Sequence, residues 1–184
     1  MKMIPFTDEY IEATKLFADE FIGTDYYSQD DLKDIIKRSE KDGKCSSILL
    51  INDANEVLGM RLSYPQGQWL DLKSDNKICP EKWNVQKDEM AYFQSIFLSD
   101  KIQGQGWGQK LSLEAMKTLK EVGAKAIVCH SWKESPHNSS MRYLEKLGFQ
   151  PVHEHKKYWY EVDYVCVRCG KPCLCTATEM VFYL

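Results

Sequence analysis

No segment of the 184-residue sequence is long and apolar enough to cross a membrane. The first seven residues also lack the apolar core of a signal peptide, because charged, helix-like sequence follows them at once. Nor is there an excess of positive charge, since 24 basic and 27 acidic residues give a formal net charge of -3. These absences argue against a membrane, secreted or nucleic-acid-binding protein, and we expect a soluble cytoplasmic chain.

Internal repeats and low-complexity segments are absent as well, so nothing in the sequence indicates a repeat architecture. A chain of this length with 43% hydrophobic residues has enough apolar surface for one complete core but not for two. We therefore expect one α/β domain over residues 1–184.

The spacing of apolar residues predicts secondary structure along most of the chain. The predicted elements are helices over 7–23 and 28–43, strands over 47–51, 57–63 and 91–98, a helix over 107–122, a strand over 125–131, a short helix before 149, and strands over 156–165 and 178–184. Between 64 and 89 the chain makes an ordered excursion with two tryptophans, Trp69 and Trp83. They either anchor this loop to the core or line a substrate groove.

A glycine-rich run, 103–108, lies between the predicted strand 91–98 and the predicted helix 107–122. Glycines let the backbone turn tightly and approach a ligand closely. The first N–H groups of a helix have no partner within the helix and point beyond its end. The run therefore predicts an anion cradle with a phosphate as its natural ligand.

Two classes of phosphate-binding protein do not fit this run. A P-loop needs a serine or threonine after its lysine, whereas Gln109, Lys110 and Leu111 follow here, so no hydroxyl is placed for magnesium. The dinucleotide fingerprint belongs to the first strand-to-helix unit, whereas this run lies past the middle of the chain. Nucleoside triphosphate hydrolysis and a Rossmann site are both disfavoured.

The same residues resemble the GNAT-type N-acetyltransferases, whose hallmark is Gln/Arg-x-x-Gly-x-Gly/Ala between a strand and the next helix. Gln103, Gly106 and Gly108 match this hallmark. The strand at 125–131 and the helix that ends in Leu-Gly-Phe149 look like the family's next segment, so the resemblance covers 91–152. It implies the GNAT-like α/β fold, a central mixed, mostly antiparallel sheet flanked by helices. Independently of the resemblance, we expect a cysteine knuckle at 166–175 between the last two strands.

The resemblance also implies acetyl-coenzyme A (acetyl-CoA) as the donor. Its pyrophosphate would lie on the amides of the glycine run, and its pantetheine arm would run along β-strand residues with the Leu98 amide on the thioester oxygen. Lys110 either reaches a phosphate or is an ordinary surface lysine. The residues expected to bind the donor are Phe97, Leu98, Gln103, Gly104, Gln105, Gly106, Trp107, Gly108, Gln109, Lys110, Asn138 and Ser140.

The reaction that the resemblance implies is direct attack of a primary amine on the thioester in a ternary complex. An alkylamine with a pKa of ~10 must lose a proton, and Glu89 and Tyr92 are the candidate bases. Many family members carry a tyrosine acid four residues before the Gly-Phe pair, where this chain has Leu144. Tyr143 comes one residue earlier. A step of one residue rotates the side chain by about 100° around the helix axis, so we expect Tyr143 to point away from the acid position unless the helix is shifted or irregular.

The acceptor is expected to be a small-molecule or peptide amine, with no nucleic acid and no membrane as partner, and a homodimer is left open. A rival interpretation is a GNAT-like binding module with little or no turnover that docks on another protein through its cysteines.

The cysteine cluster Cys166-x-x-Cys169-x-x-x-Cys173-x-Cys175 resembles a zinc knuckle. Four thiolates without a histidine favour one tetrahedral structural zinc ion. Reduced free cysteines and a redox or iron–sulfur role are the alternatives. Any zinc is expected to clip the turn between the last two strands, remote from acyl transfer, and His153 and His155 are spare ligand candidates.

Overall fold

The computed structural model describes residues 1–24, 26–72 and 77–184, and these contain four α-helices and nine β-strands. In chain order they are β1 (Lys2–Pro5), α1 (Ile11–Phe21), α2 (Gln29–Ser39), β2 (Glu40–Lys41), β3 (Lys44–Cys45), β4 (Ile48–Ile51), β5 (Val57–Tyr64), β6 (Met90–Leu98), α3 (Trp107–Glu121), β7 (Ala126–Trp132), α4 (Ser139–Lys146), β8 (Gln150–His155) and β9 (Ala177–Tyr183).

Seven of the strands form one sheet in the order β1-β4-β5-β6-β7-β9-β8, while β2 and β3 pair as a separate hairpin. Within the large sheet β6 and β7 are parallel, and the other neighbours are antiparallel. Helices α1 and α2 cover one face of the sheet, and α3 and α4 cover the other. The predicted mixed, mostly antiparallel sheet flanked by helices is confirmed.

Local sequence accounts for the helices that cover the sheet. In α3, Leu111, Ala115 and Leu119 recur every four residues, and all three are buried against the sheet as predicted. At the start of α2 the Ser28 and Asp31 side chains each accept a hydrogen bond from the other's backbone N–H. This capping box fixes the first turn of α2 and so fixes where the α1–α2 connection ends.

The excursion between β5 and β6 is ordered in the part that the structure describes, and residues 73–76 of it lie outside that part. Trp69 is fully buried, and its indole N–H donates to the Met90 carbonyl at 2.7 Å. Trp83 is buried as well and does not line the cavity described below. Both tryptophans therefore anchor the loop.

The predicted strand over 156–165 is wrong. The strand before the cysteines is β8, Gln150–His155, and residues 156–165 form turns and bends. Lys157 has a φ of +53°, which ends the extended chain. The aromatic residues that mimicked a strand pattern, such as the buried Tyr158, pack inward from these turns. The prediction also missed β1 and the β2–β3 hairpin, whose strands have four residues or fewer.

The position of the site follows from a break between β6 and β7. Residues Met90–Phe93 of β6 pair with Ala126–Cys129 of β7, and the two strands diverge beyond these pairs. At the same place β6 carries a bulge at Gln94, since Leu62 lies opposite Ser95 and Ser63 lies opposite Phe93. Beyond the bulge one backbone edge of β6 has no neighbouring strand and faces a cavity.

Candidate active site

A cavity of about 730 Å³ occupies the gap between the diverging ends of β6 and β7. One end is lined by Gln103 and Gly104 of the glycine turn. The other end opens between the α1–α2 connection and the β8–β9 connection. The lining residues at this mouth are Phe21, Ile22, Tyr26, Trp159, Tyr164, Cys166 and Val167.

The glycine turn is shaped as an open cradle. Gly104 and Gly106 have φ values of +75° and +80°, and Gly106 is the N-cap residue of α3. A Cβ atom at either glycine would meet no atom within 4 Å, so both face open space. The Gln103 amide donates to the Leu98 carbonyl at 3.1 Å and to the Asp100 carboxylate at 2.7 Å. It thereby ties the turn to the end of β6 and leaves the N-terminus of α3 accessible to an anion.

The other predicted residues of this turn lie at its rim. The Lys110 ammonium sits 4.1 Å from the centroid of the Trp107 ring in the first turn of α3. Gln105 donates to the Lys101 carbonyl at 3.1 Å, and Gln109 is exposed. None of the side chains of Gln105, Trp107, Gln109 and Lys110 belongs to the described cavity lining.

On the walls of the cavity the structure places Phe97, Leu98 and Ser140 but not Asn138. Phe97 and Leu98 are half-buried on the open edge of β6. The Ser140 N–H donates to the Ser135 hydroxyl at 3.1 Å, which holds the first turn of α4 against the cavity. Asn138 is exposed and precedes α4 with a φ of +54°.

Tyr143 also lines the cavity, so the expectation that it points away is wrong. Tyr143 and Leu144 lie about 100° apart on the regular helix α4, and the cavity is wide enough to be lined by both of them. The Tyr143 hydroxyl nevertheless donates to the Gly108 carbonyl at 2.8 Å. Leu144, at the counted position, is buried and lines the cavity too.

A buried arginine completes the contacts of Tyr143. Arg61 is 2% exposed and donates to the Ser112 hydroxyl from Nε and Nη2 at 3.0 and 2.9 Å. Ser112 Oγ lies 2.7 Å from the Tyr143 hydroxyl. The guanidinium carbon of Arg61 also lies 4.0 Å from the centroid of the Phe93 ring. The chain of hydrogen bonds runs from Arg61 through Ser112 and Tyr143 to Gly108, and it locks α4 to the first turn of α3.

A histidine that the sequence analysis overlooked lies where the strands diverge. His130 lines the cavity, and its Nδ1 atom is 3.2 Å from the Tyr92 hydroxyl and 3.1 Å from the Tyr158 hydroxyl. Its Nε2 atom is 3.1 Å from the Lys77 carbonyl. A carbonyl only accepts, so the proton is on Nε2 and the lone pair is on Nδ1. Burial lowers the pKa of His130 to about 3, and the imidazole is neutral at physiological pH.

Behind His130 lies a fully buried carboxylate, that of Glu179 on β9, directly opposite in the strand register. It accepts hydrogen bonds from Trp83 Nε1 at 2.7 Å and from the Cys79 N–H at 3.0 Å. His155 Nε2 lies 2.7 Å from the same carboxylate. These partners compensate for removing a carboxylate from water. A glutamate within the apolar predicted strand 178–184 was the sequence signal for this cluster.

Of the two candidate bases, the structure brings only Tyr92 near the cavity, through its contact with His130. Glu89 accepts from the Gln86 N–H at 3.2 Å and ends a short 3₁₀ turn at the start of β6. It does not belong to the described cavity lining. It lies at the opposite end of β6 from the glycine turn.

The four cysteine sulfurs lie within 4.8 Å of one another. Cys169 Sγ is 3.8 Å from Cys173 Sγ and 3.7 Å from Cys175 Sγ, and Cys166 Sγ is 3.9 Å from Cys175 Sγ. Zinc–sulfur bonds of about 2.3 Å place the sulfurs of a regular tetrahedron about 3.8 Å apart, so the cluster fits a zinc ion. Because Cys166 lines the cavity, the cluster is not remote from this site, contrary to expectation.

The sequence model of the Acetyltransferase (GNAT) family matches residues 10–149, well over half of the chain. The chain therefore belongs to this family, whose members use acetyl-CoA to acetylate amines, and the prediction of an acyltransferase is confirmed. No curated protein matches the chain in sequence. None of the helices in the described ranges has the length and apolarity needed to cross a membrane.

Solved structures with the same fold match over nearly the whole of both chains. NAA60 from Arabidopsis thaliana, in complex with acetyl-CoA, has a TM-score of 0.70 at 11% identity and covers 100% of this chain and 98% of its own. A ribosomal-protein-alanine N-acetyltransferase from Brucella melitensis has a TM-score of 0.69 at 12% identity, with both chains fully covered. A polyamine N-acetyltransferase from Drosophila melanogaster has a TM-score of 0.67 at 10% identity and covers 100% and 99%. At this identity the likeness establishes the fold.

Proposed function

We propose that the protein transfers the acetyl group of acetyl-CoA to a primary amine inside this cavity. The observation that carries the proposal is the continuity of the cavity, which joins the open glycine turn to a neutral histidine along an unpaired strand edge. A binding module without turnover is not favoured by the family match. A reaction of acetyl-CoA with 2-phenylethylamine tests the proposal. Mass spectrometry should detect the acetylated amine, and a thiol assay should detect the released coenzyme A.

The donor fits the cavity from the glycine turn inward. Its pyrophosphate lies on the first amides of α3, with Lys110 at the rim as a point charge. Its pantetheine arm pairs with the open edge of β6, which runs from Ser95 to Leu98 and spans about 10 Å at the usual strand rise. The thioester oxygen then lies near the bulge, so we assign its amide donor to the Ser95 end of this edge instead of to Leu98.

His130 is the proposed base for the acceptor amine. Burial keeps the imidazole neutral, so the Nδ1 lone pair can accept a hydrogen bond from the amine, directly or through the hydroxyl of Tyr92 or Tyr158. The same burial makes the imidazolium costly, so Nδ1 takes the proton only as the attacking nitrogen becomes acidic on bonding to the acetyl carbon. The amine nitrogen forms a bond to the acetyl carbon as the carbon–sulfur bond breaks. The thiolate then leaves without a dedicated acid, which its free-thiol pKa of ~8.5 tolerates.

We expect Tyr143→Phe to lower kcat by less than about tenfold, far below the loss of ~10²- to 10⁴-fold that removal of a general acid causes. The reason is that the hydroxyl already donates to the Gly108 carbonyl. The lost hydrogen bond should lower the free energy of unfolding by about 1 kcal/mol. Steady-state kinetics measure the effect, with Tyr183→Phe, at an exposed tyrosine, as the control. A loss of kcat of ~10²-fold or more in a folded Tyr143→Phe variant would make Tyr143 the acid.

The four cysteines are proposed to hold one structural zinc ion. Elemental analysis of protein purified without chelator should give one zinc ion per chain, and its removal should lower the melting temperature. The affinity for acetyl-CoA should stay nearly unchanged, because the cluster faces the mouth and not the glycine turn. Cys45→Ser, at a cysteine outside the cluster, should keep the zinc. Protein without zinc, or with four freely titrating cluster thiols, would contradict the site.

A single domain over residues 1–184 is also proposed, supported by strands near both ends of the chain that join one sheet. The cysteine knuckle at 166–175 is part of it. Cytoplasmic location and dimerisation stay predictions.

A further inference from the structure

The mouth of the cavity has apolar and aromatic walls. The end of α1 contributes Phe21, the α1–α2 connection contributes Tyr26, and the β8–β9 connection contributes Trp159, Tyr164 and Val167. Among the described lining residues the only carboxylate is Asp100, which lies at the glycine turn and accepts from Gln103. A second ammonium group entering the mouth would therefore lose hydration without a carboxylate partner.

The cysteine cluster holds the wall that the β8–β9 connection forms. The Tyr164 hydroxyl donates to Cys173 Sγ at 3.3 Å. The Tyr158 N–H donates to the Cys175 carbonyl at 3.0 Å, and the Tyr158 side chain reaches His130. The rings of Trp132, Trp159 and Tyr164 pack against the buried cysteines. The conformation of the cysteine turn thus sets the positions of two tyrosines near the reacting amine.

The same wall contacts the opposite side of the mouth. The Tyr164 ring meets the Tyr26 ring edge-on, with centroids 5.4 Å apart. The neighbouring Tyr27 hydroxyl lies 3.0 Å from the Ser95 hydroxyl, beside the β6 bulge. A shift of the cysteine turn would therefore widen or close the entrance that an acceptor must pass.

We infer that a metal ion bound by the four cysteines fixes one wall of the acceptor entrance, which selects amines carried on an apolar group over diamines and polyamines. This rests on the proposed function, because the entrance matters only if an amine is the acceptor. The cysteine turn has few apolar residues of its own, so metal binding supplies the order that packing does not. Metal occupancy then controls acceptor affinity and leaves donor affinity alone.

Calorimetry on the coenzyme A-bound protein tests the role of the metal, since it measures amine binding without turnover. We expect 2-phenylethylamine to bind at least about tenfold more weakly after zinc removal, equivalent to ~1.4 kcal/mol. The affinity for coenzyme A should change by less than about twofold, and added zinc chloride should restore amine binding. Unchanged amine affinity in folded, zinc-free protein would overturn the inference, as would protein that never contains metal.

A charge placed at the mouth tests the selectivity. Val167 lines the mouth and is 81% exposed, whereas Val165 is 70% exposed and does not line it. Val167→Asp should raise kcat/KM for 1,4-diaminobutane relative to 2-phenylethylamine by about two- to fivefold, by pairing with the second ammonium. Val165→Asp, the matched control, should leave this ratio unchanged.

The outcomes separate this inference from the proposed function. An equal shift in both valine variants, or a shift in neither while transfer proceeds, would overturn the selective wall. A wild-type protein that binds acetyl-CoA but acetylates neither amine would instead count against the proposed function. The calorimetric comparison of zinc-loaded and zinc-free protein still decides the role of the metal in that case.

Discussion

Gly106→Glu is expected to abolish measurable binding of acetyl-CoA. Gly106 is the N-cap residue of α3, and the space where its Cβ would lie is open and assigned to the pyrophosphate. A carboxylate about 4 Å from a phosphate charge costs ~4 kcal/mol at an effective dielectric constant of 20, or about a 10³-fold loss of affinity. Calorimetric titration with acetyl-CoA measures the effect.

Two variants isolate the charge from the backbone strain. Gly106→Gln places a side chain of the same size at the same positive φ without the charge, so it should retain more affinity than the glutamate variant. Gly43→Glu adds the charge at another glycine of positive φ, in the β2–β3 turn, and should bind acetyl-CoA like the wild type. Wild-type affinity in Gly106→Glu would contradict the cradle assignment.

His130→Gln is expected to lower kcat by ~10²- to 10⁴-fold, the usual contribution of a general base. Glutamine keeps hydrogen-bonding capacity toward Tyr92 and Tyr158 but does not accept a proton. The affinity for acetyl-CoA should stay close to that of the wild type, because His130 lies away from the glycine turn. Single-turnover acetylation of 2-phenylethylamine, with circular dichroism to verify folding, gives the measurement.

The control for this variant is His137→Gln, at an exposed histidine before α4, which should keep its turnover. The pH profile adds a second readout. A histidine with a pKa of about 3 is already neutral at pH 5, so the wild-type rate should rise with deprotonation of the amine and show no inflection near pH 6.5. An inflection there that disappears in His130→Gln would contradict a neutral base.

The cradle was predictable from the sequence because all its parts are neighbours in the chain. A strand end, three glycines and a helix start occupy residues 98–108, and local conformational preference decides their geometry. The same holds for α3, whose buried stripe follows from four-residue spacing. The prediction failed where local composition misled, since the aromatic residues of 156–165 belong to turns.

The proposed base was not predictable in this way, because three segments that are distant in the sequence create its surroundings. His130 and Glu179 meet only through the pairing of β7 with β9, and the Lys77 carbonyl comes from the excursion before β6. Each residue alone is unremarkable in the sequence. The Tyr143 prediction failed because the count along a helix gives the angle between Tyr143 and Leu144 but not the width of the cavity, which both residues line.

Hydrogen exchange of the backbone amides with and without coenzyme A locates the bound donor without requiring turnover. We expect protection at residues 95–98, on the open edge of β6, and at 104–110, around the N-terminus of α3. We expect no change in α2, which covers the other face of the sheet. Protection absent from both segments, or concentrated elsewhere, would contradict the placement of the donor in this cavity.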